Sequence, residues 1–387
     1  MADRERHVAV RPAGIRAANA ELVLQSLADG RAATRSELAE RTSLTPQALG
    51  PILGDLVNAA QVIEAPSERP GPGRRPSEYR LDPLGSLHVE VVIRFAGHHV
   101  VVRDALGGLL QFRRQRHVAG PGPARLVRSL ATTVRTMVTD QGAEVGAATT
   151  LAITIEGIVD ESRQLVLQTP AWRATDVALA PLFAKHLGPE IQVSTTSAER
   201  ALAARALDVI QPPASDLVAI IQISNQSRLM LAVDGEVIDN RLGSSGRLAH
   251  LPVEGNDRPC ECGRTGCLGT VSSGAAVVRV YRELTDIQLD AGVDVIDRVH
   301  RGDPDAIEAA RRSTEWLSRA LGPLLRMVQP DRLIVTGAVG REGSRGAAAL
   351  VETLRSHLDD DLRCVPIHVV QPEFGTIDES LASVLLG

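Results

Sequence analysis

Three thiols and one imidazole fall within residues 250–267, a stretch that holds three of the four cysteines of the chain. These side chains are His250, Cys260, Cys262 and Cys267. Zinc prefers four such ligands in a tetrahedron, and a closed Cys3His set leaves no position for a catalytic water. Gly263 and Gly266 would let the loop turn back so that Cys262 and Cys267 approach one ion. The stretch predicts a structural zinc that alone holds this loop, and the alternative is buried thiols beside an unrelated histidine.

The same stretch resembles a known protein family. The motif Cys-x-Cys-Gly-x-x-Gly-Cys, residues 260–267, follows a Gly-x-x-x-His step from Gly246 to His250. This combination resembles the ROK family of repressors and sugar kinases. The resemblance covers essentially the whole chain, and it implies a two-lobed α/β fold of the actin-like, ribonuclease-H-like ATPase type.

Length and composition favour a cytoplasmic protein of several domains. The 387 residues, 44% of them hydrophobic, suffice for two or three domains. No apolar run approaches the ~20 residues that cross a membrane, and the N-terminus is charged rather than signal-like. A metal-type cysteine cluster with Cys364 left over favours the reducing cytoplasm over a disulfide-bonded secreted protein. The net charge of −5 argues against a wholly basic coat for nucleic acid.

Three short helices are predicted near the start of the chain. Apolar residues from Ile15 to Leu27 recur at helical spacing, and Thr34-Arg-Ser-Glu37 is a capping box for a second helix, Arg35 to about Arg41. Thr45 and Pro46 are an N-cap and a first helical residue, so a third helix follows. Its inward positions are Leu49, Ile52, Leu53 and Leu56. This order is typical of a helix-turn-helix, whose last helix enters the DNA major groove.

Two segments of this region offer candidate contacts to DNA. Residues 62–64 and 79–81 are expected to pair as a wing, and the stiff segment Pro70–Pro76 between them carries two arginines that can lie in a minor groove. The alternative for that segment is a solvated linker. In the third helix, Gln47 could make a bidentate contact to adenine. The candidate DNA-binding residues are Arg35, Thr45, Gln47, Ala48, Arg74 and Arg75.

The motifs Ser36-Glu-Leu-Ala, Leu44-Thr-Pro-Gln and Gly73-Arg-Arg-Pro resemble the winged helix-turn-helix of ROK repressors. One departure is Pro51, which falls inside the third helix, where proline typically costs ~3 kcal/mol or bends the helix. We therefore expect that helix to be kinked, short or both. Residues 1–82 hold eleven Arg against eleven Asp plus Glu, so bulk charge does not support DNA binding.

After this region the sequence changes to strands and helices in two successive sets. Strands are predicted at 87–94, 98–104, 109–114, 148–155, 191–194, 217–223, 229–233, 332–335 and 367–370. Helices are predicted at 123–138, 198–206, 275–284, 304–327 and 346–358. We expect a winged helix-turn-helix domain, residues 1–82, and an effector and oligomerisation domain, residues 83–387. The lobes of the second domain would span about 83–200 and 201–387.

The resemblance also specifies what a ROK kinase needs. A glycine-rich turn must approach ATP phosphates in the first hairpin, but Glu90 to Ala96 contains no glycine. Ser224-Asn-Gln-Ser-Arg228 stands where a second glycine-rich phosphate loop is expected. The Asn-Asp pair that carries the catalytic base is replaced by Thr195-Thr196, and threonine cannot act as a general base at neutral pH. With three parts of the phosphoryl-transfer site missing, we expect no kinase activity.

The residues that bind sugar hydroxyls in the family are also changed. Arg247 and Gly269 replace two glutamates. Arginine presents a planar fork that suits phosphate or carboxylate, so an anionic or carbohydrate-derived effector is expected. The candidate effector-binding residues are Arg247, His250, Thr196 and Arg200. The alternative is that each arginine only neutralises a nearby carboxylate such as Glu199.

These features together predict a catalytically inactive transcriptional regulator, a repressor. It would bind a palindromic double-stranded operator as a homodimer or homotetramer. A ligand in the cleft would change the angle between the lobes and so the spacing of the DNA-binding heads. Two alternatives remain: a sugar kinase with a fused DNA-binding module, and a regulator that a protein partner controls.

Overall fold

The structure, a computed structural model, is a mixed α/β protein. It describes residues 12–67, 76–94, 97–116, 122–146, 149–169, 171–223, 227–238, 246–287, 289, 292–337, 345–358 and 360–370. The chain divides into two compact units, the first formed by Met1–Thr154 with Pro170–Thr195 and the second by Ile155–Thr169 with Thr196–Gly387. The predicted wing arginines Arg74 and Arg75 lie outside the described residues.

The N-terminal region is a winged helix-turn-helix. Its elements are α1 (Pro12–Ser26), β1 (Ala33–Thr34), α2 (Arg35–Thr42), α3 (Pro46–Asn58), β2 (Val62–Pro66) and β3 (Ser77–Leu81). The strands form a three-stranded sheet in the order β1-β3-β2. The inward positions predicted for the third helix are all buried, and they pack with Val23, Leu27, Leu38 and Tyr79 in one hydrophobic core. The predicted helix-turn-helix is confirmed.

Local capping begins α2 and α3 where the sequence predicts. The Glu37 carboxylate accepts the Thr34 N–H at 2.7 Å, and Thr34 Oγ1 accepts the Glu37 N–H in return. α3 continues through Pro51 to Asn58 and is not shortened, so of the two expected effects of Pro51 the kink stays a prediction. Pro51 is exposed, and so is Gln47, whose carbonyl would have accepted the missing N–H. Water can satisfy that carbonyl, and the helix therefore tolerates the proline.

The next elements form the first five-stranded sheet, its helices and a separate small sheet. They are β4 (Leu87–Ile93), β5 (Gly97–Arg103), β6 (Leu109–Arg116), α4 (Pro123–Thr139), β7 (Thr149–Ile155), β8 (Ile158–Asp160), β9 (Leu165–Gln168), β10 (Val177–Ala178), α5 (Leu179–Leu187) and β11 (Gln192–Ser197). Five strands pair in the order β11-β7-β4-β5-β6, and β8, β9 and β10 form the separate small sheet. α4 buries Val127, Leu130, Val134 and Val138 at helical spacing and contacts β4, β5 and α5. The β8–β9 hairpin belongs to the second unit.

The second unit is built on another five-stranded sheet. Its elements are α6 (Ala198–Ile210), β12 (Val218–Ile223), β13 (Arg228–Val233), β14 (Glu236–Ile238), α7 (Gly274–Thr285), α8 (Gly292–His300), α9 (Pro304–Val328), β15 (Arg332–Gly337), α10 (Arg345–Ser356), α11 (Asp360–Arg363) and β16 (Ile367–Val370). The strand order is β14-β13-β12-β15-β16. Alternate residues of β12 face opposite sides, Ile220 towards the core that includes α6 and Ile221 towards the core that includes α9.

Each strand and helix predicted between residues 87 and 370 has a counterpart in the structure, with shifted ends. No element was predicted at α5, α8, α11 or the short strands β8, β9, β10 and β14. Short strands carry too few alternations to be distinguished from turns. Among the helices of the described part, none is both long and apolar enough to cross a membrane.

Candidate functional site

The four candidate metal ligands converge in the second unit. Their ligand atoms all lie within 4.8 Å of one another. Cys262 Sγ and Cys267 Sγ are 3.6 Å apart, and Cys260 Sγ is 3.5 Å from His250 Nδ1. A tetrahedral zinc with bonds of about 2.3 Å to sulfur has ligand–ligand edges of about 3.8 Å. The donors and their separations therefore fit one tetrahedral cation, with His250 binding through Nδ1.

Two glycines and the backbone around them shape the metal loop. Gly263 and Gly266 have φ of 84° and 80°, a region that favours glycine. The Gly266 carbonyl accepts the Val253 N–H at 2.9 Å, and the Asn256 side chain donates to the Cys267 carbonyl at 3.0 Å. A Cβ on Gly266 would lie 2.8 Å from the Asn256 carbonyl oxygen. Glycine is therefore required at this position for the loop to close.

Two thiols of the loop differ in acidity because their surroundings differ. Hydrogen bonds from the Arg264 backbone and side chain lower the pKa of the Cys262 thiol to about 6. Burial raises the pKa of the Cys267 thiol to about 11. Zinc binds thiolates, so a bound cation would displace the proton of Cys267, whereas Cys262 already favours the thiolate at neutral pH.

Hydrophobic residues anchor the metal loop on both sides. Leu248 precedes the loop, Val253 lies within it, and Leu268 and Val271 follow it. All four are buried in the core that includes α9. The expectation that the ion alone holds the loop is therefore wrong. The core fixes the ends of the loop, and a cation would order the segment between them.

Arg200 and Thr196, two of the predicted effector-binding residues, both bind Glu161. Arg200 Nε is 2.9 Å from Glu161 Oε2, and Arg200 Nη1 donates to the Val237 carbonyl at 3.0 Å. The Thr196 hydroxyl donates to the same carboxylate. Arg200 is thus neutralised by a carboxylate, which is the alternative that the sequence left open, although the carboxylate is not that of Glu199.

A buried ion pair lies beside this cluster. Arg228 Nη2 donates to Glu199 Oε1 at 3.0 Å, and the two side chains are 7% and 15% exposed. Burial raises the pKa of the Glu199 carboxyl, and the positive charge of Arg228 partly opposes that rise. Glu199 Oε2 has no hydrogen-bond partner within the part of the chain that the structure describes. The Arg228 guanidinium is therefore the charge that compensates the buried Glu199 carboxylate.

Arg247 lies next to Arg228 and is exposed. The two residues form an isolated antiparallel bridge through their backbones. Just before it, Gly246 has φ of 72°, and a Cβ there would lie 1.9 Å from the Leu229 carbonyl oxygen. The chain that leads into the metal loop therefore packs directly on β13 at a glycine. Within the described ranges, the Arg247 side chain has no ion-pair partner.

Arg35, a predicted DNA-binding residue, is attached to the wing. Its Nη2 donates to the Tyr79 hydroxyl at 3.2 Å, and that hydroxyl donates to Glu64 Oε1 at 3.0 Å. Hydrogen bonds from Ser77 and Tyr79, with the charge of Arg35, hold the pKa of the Glu64 carboxyl below its usual value. Arg35 is exposed, and its hydrogen bond to Tyr79 joins α2 to β3.

The other described DNA-binding candidates lie at the start of α3. Thr45 is the N-cap and accepts the Ala48 N–H at 3.2 Å, and Ala48 is half-buried. Gln47 is exposed and presents a side-chain amide. Thr45 and Ala48 therefore shape the start of the helix, whereas the Gln47 amide faces solvent.

Sequence reasoning missed Glu161 and Arg228 as residues that organise this part of the second unit. Glu161 is 35 residues from Thr196, and Arg228 is 29 residues from Glu199, so no local pattern indicates either contact. One signal was available for Arg228: it is the charged residue that opens the otherwise apolar strand β13. A charged side chain that is buried at the start of such a strand requires a partner of opposite charge.

Comparison with known proteins matches these features to one family. The chain matches the ROK family over residues 98–379. It is 20% identical, over 354 residues, to a putative xylose repressor of Caldicellulosiruptor sp. (strain Rt8B.4), an alignment that covers 88% of this chain and 87% of that protein.

Solved structures agree on the fold. A ROK family transcriptional regulator, a homolog of the Escherichia coli MLC protein, superposes with a TM-score of 0.74 at 19% identity and covers 96% of each chain. A ROK family glucokinase from Streptomyces griseus, in complex with glucose and AMPPNP, superposes with a TM-score of 0.58 at 20% identity and covers 78% of this chain and 97% of its own. The fold is the actin-like α/β fold of these proteins, preceded by a winged helix-turn-helix. The protein belongs to the ROK family.

Proposed function

We propose that the protein is a DNA-binding transcriptional repressor of the ROK type. The observation that carries the proposal is the winged helix-turn-helix, with an exposed Gln47, ahead of the residues matched to the family. The solved regulator covers 96% of the chain, whereas the glucokinase covers 78%. Because helix-turn-helix proteins read two-fold operators, the active form is a homodimer or homotetramer on palindromic double-stranded DNA.

Kinase activity is not part of this proposal. The Arg228 side chain pairs with Glu199 in the segment where the family has a glycine-rich phosphate loop. Thr196, at the position of the family's catalytic base, donates to Glu161 and has no basic group of its own. The protein therefore keeps the kinase fold as a scaffold for regulation.

The test of function is selection of genomic DNA. Fragmented DNA of the source organism is mixed with the full chain, and the bound fragments are sequenced. We expect enriched fragments that share a two-fold symmetric motif, and the absence of any enrichment overturns the proposal. A parallel incubation with ATP and a panel of hexoses should give no sugar phosphate. A phosphorylated hexose would favour the alternative, a sugar kinase with a fused DNA-binding module.

We further propose that the cation of the His250–Cys267 loop is zinc in a structural role. A Cys3His set satisfies four tetrahedral positions and leaves none for a reacting water. When bound, zinc would supply only cross-linking of the loop. Cys260 and Cys262, which lie between the anchored ends of the loop, would gain most order from it.

An effector is proposed at Arg247. Arg247 is exposed, whereas Arg200 and Thr196 are held by Glu161, so the effector proposal rests on Arg247 with His250 three residues further on. A guanidinium would favour a sugar phosphate or sugar acid over a neutral sugar. The name of the xylose repressor relative supports a carbohydrate-derived ligand.

Thermal-shift titration tests this proposal with neutral sugars and their phosphates. Phosphates should stabilise the parent protein more than the neutral sugars do, and the Arg247→Glu variant should lose the difference. Arg163→Glu, at another exposed arginine of the second unit, serves as the control. Equal stabilisation by neutral sugars, or none by any ligand, contradicts the anionic effector. The second of these results would favour regulation by a protein partner.

A further inference from the structure

The tip of the β5–β6 hairpin lies against the winged helix. Leu106, at the tip, covers Gly30 in the turn between α1 and β1: a Cβ on Gly30 would lie 3.7 Å from Leu106 Cδ1. The neighbouring Ala105 packs against the hydrophobic core of the winged helix. The hairpin and the winged helix belong to the same compact unit. The winged helix therefore rests on the first sheet and is not held by its connecting chain alone.

The hairpin tip holds its own shape. Asp104 Oδ1 accepts the N–H groups of Leu106 and Gly108, at 2.9 Å and 2.7 Å. Arg103 Nη1 donates to the Gly107 carbonyl at 3.1 Å, and Gly107 has φ of 81°. These bonds lie within the tip, so they fix the direction of Leu106 without help from the winged helix. The tip is therefore a preformed support.

The connecting segment, residues 82–85, adds a second attachment. The Asp82 N–H donates to the Gln61 carbonyl at 2.9 Å, and the Ala105 N–H donates to the Pro83 carbonyl at 2.9 Å. A Cβ on Gly85 would lie 2.1 Å from the Ala60 carbonyl oxygen, so the segment passes the winged helix at backbone contact. The winged helix is therefore attached at two places, to the connecting segment at residues 60–61 and to the hairpin tip at Gly30. Two attachments prevent it from rotating freely about either one.

We propose that the β5–β6 tip, through Leu106 and Ala105, fixes the orientation of each DNA-binding head and so determines which half-site spacing the protein accepts. This inference rests on the proposed function. In a dimer, the second head binds intramolecularly, and its effective concentration is greatest where the spacing matches the fixed geometry. A head released from the tip could follow a half-site that is displaced along the duplex. Leu106 is thus a positioning residue for operator selection.

The test compares Leu106→Ser with Leu109→Ser. Both leucines lie on the same hairpin and are 41% and 40% exposed, but Leu109 lies beyond the tip on β6. Each variant is titrated against the selected operator, a single half-site, and an operator lengthened by about 5 base pairs, which turns one half-site to the opposite side of the helix.

The parent protein and Leu109→Ser should bind the lengthened operator about 100-fold more weakly than the natural one, as expected when effective concentration is lost. Leu106→Ser should narrow this ratio to about tenfold or less, with unchanged affinity for the single half-site. If Leu106→Ser still binds the lengthened operator about 100-fold more weakly than the natural one, the proposal is overturned. An equal loss of discrimination in both variants also overturns it.

Hydrogen exchange separates this inference from the proposed function. The Gly30 N–H donates to the Leu27 carbonyl at 3.0 Å beneath Leu106. Without DNA, its exchange should be faster in Leu106→Ser and unchanged in Leu109→Ser. If the Gly30 N–H exchanges at the same rate in the two variants, the hairpin tip does not stabilise the winged helix. A parent chain that binds no DNA refutes the proposed function, and the exchange result still decides whether the tip supports the winged helix.

Discussion

Replacing Arg228 by methionine should strongly destabilise the second unit. The Arg228 and Glu199 side chains are 7% and 15% exposed, so loss of the guanidinium leaves a buried carboxylate without its partner. Breaking a buried pair in this way typically costs about 3–5 kcal/mol of unfolding free energy. Because methionine keeps most of the side-chain volume, the cost arises mainly from the unpaired charge and not from a cavity.

The loss of unfolding free energy in Arg228→Met should depend on pH. Burial already raises the pKa of Glu199, and loss of the opposing charge of Arg228 should raise it further above the value in the unfolded chain. A carboxyl whose pKa is higher in the folded state favours folding below its unfolded pKa, and that contribution is lost as pH rises through the folded pKa. Arg228→Met should therefore cost less at about pH 5 than at about pH 8.

Tryptophan fluorescence during urea unfolding measures this effect. The chain has two tryptophans, and in a Trp172→Phe background Trp316, which packs against the core that includes α9, reports on the second unit. Arg163→Met is the control, since the Arg163 side chain is 68% exposed beside Asp160 and its loss should cost less than about 1 kcal/mol. The double variant Glu199→Gln/Arg228→Met should recover much of the loss, because no buried charge remains. A cost below about 1 kcal/mol for Arg228→Met, or equal costs at both pH values, refutes the reasoning.

Three further changes test other parts of the structure. Cys262→Ser should lose the bound metal and lower the melting temperature of the full chain, whereas Cys364→Ser, outside the cluster, should keep both; elemental analysis that finds no zinc in the freshly purified parent protein contradicts the assignment. Arg74→Ala/Arg75→Ala should weaken operator binding at low salt by about 1–3 kcal/mol per arginine, and an unchanged gel-shift affinity would show that their segment is only a linker. Gly246→Ala should cost at least about 1 kcal/mol in the urea titration, because φ is 72° and the new Cβ would lie 1.9 Å from the Leu229 carbonyl oxygen; an unchanged midpoint contradicts that packing.

The features that could be predicted from the sequence are those encoded within a short stretch. The capping box from Thr34 to Glu37 and the Thr45 N-cap each involve residues three apart, and both occur as predicted. The metal ligands lie within residues 250–267, so their convergence follows from one loop. A local signal of this kind does not depend on knowing the rest of the fold.

The features that escaped prediction depend on long-range packing. The contact of Arg200 with Glu161 escaped prediction because Glu161 lies in the β8–β9 hairpin, which belongs to the second unit although it falls between strands of the first in the sequence. Pro51 was expected to kink α3, shorten it or both, but the helix runs on to Asn58 because the exposed position lets water replace the lost hydrogen bond. The anchoring of the metal loop by Leu248 and Leu268 likewise requires the second sheet to be in place.

The most direct test of DNA recognition by the winged helix is an operator titration of two α3 variants. Gln47 is exposed at the start of the helix and Asn58 is exposed at its end. Fluorescence anisotropy with the selected operator should show about tenfold weaker binding for Gln47→Ala, in the range of about 1–3 kcal/mol for a bidentate base contact. Asn58→Ala should bind as the parent protein does. Equal affinities for Gln47→Ala and the parent protein would contradict base reading by the start of α3.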